Sequence, residues 1–439
     1  MAADVAKATN GILVGQNAHL SGVSFDSRSV RPGQLFVPIV AERDGHEFVL
    51  AALSAGAGAY LTTGKTFGRT SITVPDTLAA LLQLGAWGRN KLDAQLANRV
   101  VGITGSVGKT STKDFIAAAI GSALRVAANE RSFNNDQGLP VTILNAADDV
   151  QALVLEMGMR GFGEIARLCT VARPHIGVVT RVAPAHTERV GDIDGVASAK
   201  SELVIALEPS GFAVLNADDE RVVAMQSLTK ANVVTYGAST SATVRMTSCV
   251  LDERACASVS IESPWGNASW KMNVPGEHMA HNAVGAIAVA GVLGLDLQQA
   301  ADAIQTSVLS EMRMQHRIAR SGALIIDDSY NANPASLTAA LHALSATKAS
   351  KRIAVLGIMA ELSEPEQDHL QISRLAKKLG IELIAVGTDL YEVQSRTREE
   401  VVTMLSGVEN TAAILVKGSR VAQLENLVSL LVGEVLAQR

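Results

Sequence analysis

Residues 100–112, VVGITGSVGKTST, constrain the fold more tightly than any other stretch of the chain. Val100, Val101 and Ile103 make an apolar run of strand length. Gly105-Ser106-Val107-Gly108-Lys109-Thr110 follows, and an Ala/Ile-rich run at 114–124 has helical character. Strand, glycine loop, Lys-Thr and helix in that order are the layout of a phosphate-binding loop. The glycines let backbone N–H groups turn inward around phosphate oxygens, and the helix N-terminus adds positive potential. Lys109 is then placed to reach the β- and γ-phosphates of a nucleotide, and the Thr110 hydroxyl to hold Mg²⁺. The strict spacing puts a glycine at 103, where this chain has Ile103, so the match is to the shorter G-x-x-G-K-T form. The competing reading is a glycine-rich turn before a surface helix; strand, loop and helix together favour phosphate binding.

At 439 residues the chain is too long for one ordinary core, so two or three domains are expected. A net charge of −5 argues against nucleic-acid binding and against a polybasic membrane contact. No apolar run approaches the length of a membrane span, and the first ten residues lack a secretory pattern. Cys169, Cys249 and Cys256 are few, odd in number and outside any C-x-x-C spacing, which reads as reduced thiols in a cytoplasmic protein.

The expected architecture is α/β in three domains, 1–83, 84–311 and 312–439. The first carries short strands, a turn at Arg31-Pro32-Gly33 and a helix near 48–55. The second opens with an apolar helix and the glycine loop. It continues with apolar runs at 152–155, 176–179 and 213–215, which suit strands buried on both faces. Residues 242–274 alternate in polarity and read as a small antiparallel excursion, followed by an Ala-rich helix over 280–293. In the third, strands at 323–326, 353–356, 383–386 and 412–416 with helices between them predict a second doubly wound sheet.

Glu156 follows the strand at 152–155, at the sheet edge where ligands bind, and a carboxylate there can share Mg²⁺ with Thr110; the alternative is a helix N-terminal charge. His186 also lies past a strand end, and Lys200 stands in a helical stretch; each is either an ordinary packed or solvated residue or part of a second metal site. Asn134 and Asn135 read either as a specified turn or as ligand contacts. Asp327 and Asp328 follow the strand at 323–326, where carboxylates read ribose hydroxyls, and Pro334 suits the first turn of the next helix.

Several further strings converge. They include Asp26-Ser27-Arg28, Asp44-Gly45-His46, FNNDQGLP (133–140), LEMGMRGFGEI (155–165), GEHMAHN (276–282), Arg313-Met314, DDSYNANP (327–334) and Lys417-Gly418-Ser419. With the glycine loop they resemble the Mur ligases, ATP-dependent amide-forming enzymes of peptidoglycan synthesis, across nearly the whole chain. The resemblance implies a nucleotide-sugar domain, a central ATPase-like domain and a C-terminal Rossmann-like domain. It implies addition of D-alanyl-D-alanine to a UDP-N-acetylmuramoyl tripeptide through an acyl phosphate, with ATP and Mg²⁺, by a cytoplasmic monomer. By resemblance, Ser27 and Arg28 bind the UDP-sugar. Gly105, Ser106, Gly108, Lys109, Thr110 and Ser111 hold ATP, with Asn282 on adenine, Asp328 on ribose and Arg313 at the domain junction. Thr110, Glu156, His186 and Lys200 are implied metal ligands, Lys200 as a carbamate, and Lys109, Lys200 and His186 the catalytic set. Asn134, Asn135, Tyr330, Asn331 and Asn333 are implied substrate contacts. Val107, Met279, Ile358 and Val40-Ala41 depart from the family pattern. The alternatives are a diaminopimelate- or lysine-adding ligase, a folylpolyglutamate synthase, or a nucleotide-binding regulator without catalysis; DDSYNANP and Asp26-Ser27-Arg28 argue against the other two ligases. Lys109, Thr110, Glu156, His186 and Lys200 kept together argue against the regulator.

Overall fold

A computed structural model of the chain describes residues 1–130, 133–184 and 187–434. Three sheets organise it, of five, nine and six strands. The nine-stranded central sheet starts at Val126–Ala128, then Ala152–Glu156, Val100–Thr104, Ile176–Val179, Phe212–Asn216, Asn232–Gly237 and Val244–Leu251, all parallel. Every residue of Val100–Thr104, Ala152–Glu156 and Ile176–Val179 is buried, which explains their unbroken apolar sequences.

The antiparallel excursion expected at 242–274 is present, but it is not a separate small unit. Val244–Leu251 pairs in parallel with Asn232–Gly237, and Cys256–Ser263 and Gly266–Pro275 then extend the same sheet antiparallel. Buried and exposed residues alternate along Gly266–Pro275 because only one face is covered. The following helix is Glu277–Val292, starting three residues earlier than the Ala-rich run suggested because Gly276, at φ +106°, turns the chain into it.

The N-terminal sheet runs Ile12–Val14, Ser71–Thr73, Ala59–Thr62, Leu35–Phe36 and Val23–Ser24, with only the first strand antiparallel. The boundary expected at 83/84 falls inside one helix, Thr77–Lys91. Asp76 Oδ1 caps that helix by accepting from Leu78 N and Ala79 N at 2.8 and 3.0 Å, so it begins well within the first segment. Its Ala80, Leu81 and Leu84 join the N-terminal core, while Gly85 and Gly88 lie against Pro140 and Leu144 of the central helix Gly138–Leu144. The Asn145 side chain ties the two units again, with Oδ1 accepting from Val23 N at 2.8 Å and Nδ2 donating to Val23 O at 2.9 Å.

The C-terminal sheet has Gln315–Ile318 as an antiparallel edge, followed in parallel by Leu324–Asp327, Ala413–Lys417, Arg352–Leu356, Glu382–Val386 and Ser395–Arg396. The four strands expected here are all present, as is the N-terminal Pro334 of helix Pro334–Ala346. Cys169, Cys249 and Cys256 are free thiols. Among the described residues no helix is long and apolar enough to cross a membrane.

Candidate active site

Val100–Thr104 lies between Ala152–Glu156 and Ile176–Val179. From Val100–Thr104 the chain runs to the edge strand Val126–Ala128, returns to Ala152–Glu156 and then crosses to Ile176–Val179, so successive strands lie first on one side of Val100–Thr104 and then on the other. A crevice opens beyond the C-terminal ends of strands at such a reversal. The glycine loop fills its floor. Gly105 sits at φ +150°, where an added Cβ would lie 1.9 Å from Thr180 Oγ1; Gly108 sits at φ +84°, where one would lie 2.6 Å from Asn282 Oδ1. Only glycine fits either position. The loop is fastened to the chain beyond Ile176–Val179: Ser106 N donates to Arg181 O at 2.7 Å, Ser106 Oγ to Ala183 O at 2.7 Å, and Thr180 Oγ1 to Val107 O at 2.6 Å. Helix Lys109–Gly121 then starts with its free N–H groups facing the crevice.

Lys109 Nζ folds back to donate to Gly105 O at 2.7 Å. Burial holds its pKa below the ordinary lysine value, against the opposing pull of the Glu156 carboxylate, and the Arg313 charge adds to the depression. Thr110 Oγ1 donates to Glu156 Oε2 at 2.8 Å, and Asn134 Nδ2 donates to Glu156 Oε1 at 2.8 Å. Arg313 Nη2 donates to Thr110 Oγ1 at 3.3 Å, and its guanidinium lies 4.2 Å from the centre of the Tyr330 ring. Lys200, buried on helix Ile193–Ile205, lines the same cleft. Burial pushes its amine well below the ordinary lysine pKa, and the Lys109 charge pushes it the same way.

These groups line a cleft of about 450 Å³ whose opposite wall is Tyr330, Asn331 and Asn333. On the other side of the loop a second cavity of about 790 Å³ is lined by Asn282, Met279, Leu251, His278 and Asp328 among others. The two share Val107, Gly108, Ser111, Arg313 and Ser336. Asp328 is fixed at the cavity wall: Oδ2 accepts from Lys417 Nζ at 2.5 Å, and Oδ1 from Met314 N at 3.3 Å. A nucleoside-sized chamber on one side and an ionic cleft on the other leave the glycine loop as the bridge between them, which is the path a nucleoside triphosphate takes.

The Mur ligase middle domain matches residues 103–290, and the Mur ligase glutamate ligase domain matches 312–431. The chain is 38% identical over 395 residues to the UDP-N-acetylmuramoyl-tripeptide–D-alanyl-D-alanine ligase of Mycobacterium tuberculosis, covering 83% of this chain and 77% of that one. The chain belongs to the Mur ligase family. The enzyme of the same name from Escherichia coli is 33% identical over 442 residues, 95% of each chain. A crystal structure of MurF from Acinetobacter baumannii superposes with a TM-score of 0.90 over 99% of both chains at 26% identity.

The fold of this Mur ligase gathers Gly105, Ser106, Gly108, Lys109, Thr110, Ser111, Asn134, Asn135, Glu156, Lys200, Arg313, Tyr330, Asn331 and Asn333 around one cleft. Asn282 and Asp328 line the adjoining cavity. Ser27 and Arg28 do not line either: Arg28 is 88% exposed and bonds through two guanidinium nitrogens to Asp26. His186 lies outside the described residues. Two asparagines have structural work already. Asn135 Oδ1 accepts from Gln137 N and Gly138 N at the start of the next helix, and Asn333 Oδ1 accepts from Ser336 N as the cap of Pro334–Ala346. Met279, a departure from the family pattern, is buried with its sulfur 3.9 Å from Asn282 Nδ2, so it backs the asparagine that lines the cavity.

Sequence reasoning missed three residues of this Mur ligase's site. Asn129, buried after the edge strand Val126–Ala128, accepts from Glu156 N and donates to Glu156 O, each at 2.9 Å. Lys113 and Thr180 fasten Asn129 and the glycine loop. Only a lone lysine in an otherwise apolar helix face offered any signal for them.

Proposed function

We propose that this Mur ligase adds D-alanyl-D-alanine to a UDP-N-acetylmuramoyl tripeptide, using ATP, in the cytoplasm and as a monomer. The observation that carries the reading is the single glycine loop shared by a nucleoside-sized cavity and an ionic cleft, in a chain 33–38% identical to enzymes named for that reaction. In this reading the unit around the first sheet takes the nucleotide sugar, the central unit ATP and 312–439 the incoming dipeptide, with helix Thr77–Lys91 shared by the first two.

The tripeptide carboxylate attacks the γ-phosphorus, giving an acyl phosphate and ADP. The dipeptide amine then attacks the acyl carbon, phosphate leaves, and the new amide nitrogen loses its proton. Both steps are limited by bringing charge and nucleophile together. Lys109 and Arg313 answer the phosphate charge, and the N–H groups at the start of Lys109–Gly121 hold the oxygens. The residues also fit a magnesium ion. Among the described residues no three His, Cys, Asp or Glu side chains cluster to hold a metal, and the oxygen donors on hand are the Thr110 hydroxyl and the Glu156 carboxylate. Thr110 and Glu156, already 2.8 Å apart, would hold Mg²⁺ together with Lys200 as a carbamate and His186. When bound, Mg²⁺ supplies positive charge against the phosphate oxygens. Lys200 suits a carbamate because burial lowers its pKa and so favours the uncharged amine, the form that attacks CO₂, forming the N–C bond and releasing a proton. Asn129 and Asn134 keep the Glu156 carboxylate aimed at Thr110. Tyr330 and Asn331, on the far wall, face the acceptor; a site built for an extra peptide unit is left with unpaired polar groups when the unit is missing.

The test is ADP release with a UDP-muramoyl tripeptide and D-alanyl-D-alanine, against single amino acids including L-lysine and meso-diaminopimelate, with products read by mass. Amide formation with the dipeptide at well above the rate for any single amino acid is expected. Preferential addition of a single amino acid to a UDP-muramoyl dipeptide would move the chain to a neighbouring ligase.

A further inference from the structure

Helix Lys109–Gly121 carries two side chains that the chemistry above does not use. Lys113 is 3% exposed; its Nζ donates to Asn129 O at 2.8 Å and pairs with Asp114 Oδ1 at 2.9 Å. A lysine is buried at a cost unless both charge and hydrogen bonds are answered, as they are here. Asn129, on one side of it, grips Glu156 by both backbone groups. On the other side Asp114 Oδ2 accepts from Ser310 N at 2.8 Å, three residues before Arg313 in the linker to the C-terminal domain. Arg313 reaches back to Thr110, and Thr110 donates to Glu156. The contacts therefore close a ring through Thr110, Glu156, Asn129, Lys113, Asp114, Ser310 and Arg313. The linker has apolar anchors of its own, with Leu309 and Met314 buried on either side of Ser310, so the Asp114 contact sets its register and is not its main adhesion.

We propose that Lys113 and Asp114 are positioning residues that fix the linker so that Arg313 spans the glycine loop, coupling the placement of the C-terminal domain to the Glu156 carboxylate. This rests on the ligase reading. In the ligand-free full chain, Asp114→Ala and Lys113→Met are expected to speed hydrogen exchange of the 310–314 amides about tenfold or more while leaving Leu324–Asp327 protected. In turnover, Asp114→Ala lowers kcat about 10- to 100-fold, as a small misplacement of a charged group does, with ADP affinity by calorimetry within about threefold of the parent. Asp114→Glu, which keeps the carboxylate, restores most of the rate. In an Arg313→Ala background Asp114→Ala adds little further loss, because its effect passes through Arg313. Unchanged exchange at 310–314, or a loss in the Arg313→Ala background as large as in the parent, overturns the proposal. A parent chain that forms no amide product overturns the ligase reading instead, while the exchange experiment still reads the ring.

Discussion

The cleft beyond Lys109 and the cavity beneath Asn282 meet at Gly108, yet they handle charge in opposite ways. In the cleft, Lys109, Arg313 and Glu156 converge where the proposed function puts a polyphosphate, and Lys200 stands among them buried, its pKa well below the ordinary lysine value. In the cavity, the Asp328 and Asp218 carboxylates are each paired. Lys417 closes on Asp328, His281 Nδ1 lies 3.1 Å from Asp218 Oδ2, and burial pulls His278 down to about 4. On the proposed reading the uncharged base lies among carboxylates matched to cationic or imidazole partners, and the polyanion beside Lys109 and Arg313, whose hydrogen bonds go to neutral groups. The difference explains how one loop can serve both ends of a nucleotide.

The largest effect that can break this contrast is at Lys109. Lys109→Ala should lower ADP release by about three powers of ten or more, since a charge answering the transferred phosphoryl group is gone. The thermal midpoint should move little, because the lost bonds are to the loop's own carbonyls and a buried charge goes with them. Near-normal ADP release would show that the cleft does not handle phosphate.

A smaller loss is expected at Lys200. Lys200→Ala should cost about two powers of ten in kcat, the scale of removing one charge-stabilising group. Acetate at high concentration should return part of the rate, by supplying the oxygen anion that the carbamate carried. Wild-type turnover by this variant would make Lys200 a packing residue.

These expectations were readable in unequal measure. The glycine loop and Glu156 are local: a strand, a loop and a sheet edge define them within a few residues. Asn129 and Lys113 are not, because a short edge strand and a lysine in a helix look ordinary until the fold closes over them. Asn333 is ambiguous in the opposite way, since it caps a helix and lines the cleft at once. An asparagine before a proline fits both a ligand contact and a helix cap, and the fold uses it as a cap. The strands after 242 showed their alternation in the sequence, but their membership of the central sheet depends on Tyr236 pairing with Val244, which no local pattern encodes.

The smallest effect sharpens the contrast from the cavity side. His278 is held neutral at about 4, below its ordinary value of 6.5, chiefly by burial; Lys417, His281 and Arg181 push the same way and Asp328 opposes them. Between pH 6.5 and 4 the unfolded chain binds a proton there that the folded chain refuses, so stability falls as pH falls and the loss is complete below about 4. It amounts to about 3 kcal/mol. His278→Gln should lose less stability than the parent between pH 7 and 4.5 in urea unfolding. Equal losses in both proteins would place His278 in contact with water.

Helix Thr77–Lys91 belongs to two cores at once, and this governs where the chain can be cut and rejoined. A chimera spliced at residue 83 would inherit half a helix from each parent, with Leu81 from one and Gly85 from the other meeting surfaces that never fitted them. The left-handed pair Ala97-Asn98, at φ 40° and 69° between the short helix Asp93–Leu96 and Val100–Thr104, is the better joint. An N-terminal unit grafted there arrives with its whole helix, and the surfaces to be rebuilt are those at Pro140, Leu144, Asn145 and Val171–Ala172. On the proposed reading of the first segment as the nucleotide-sugar unit, exchanging that unit between relatives means trading about a hundred residues, not eighty.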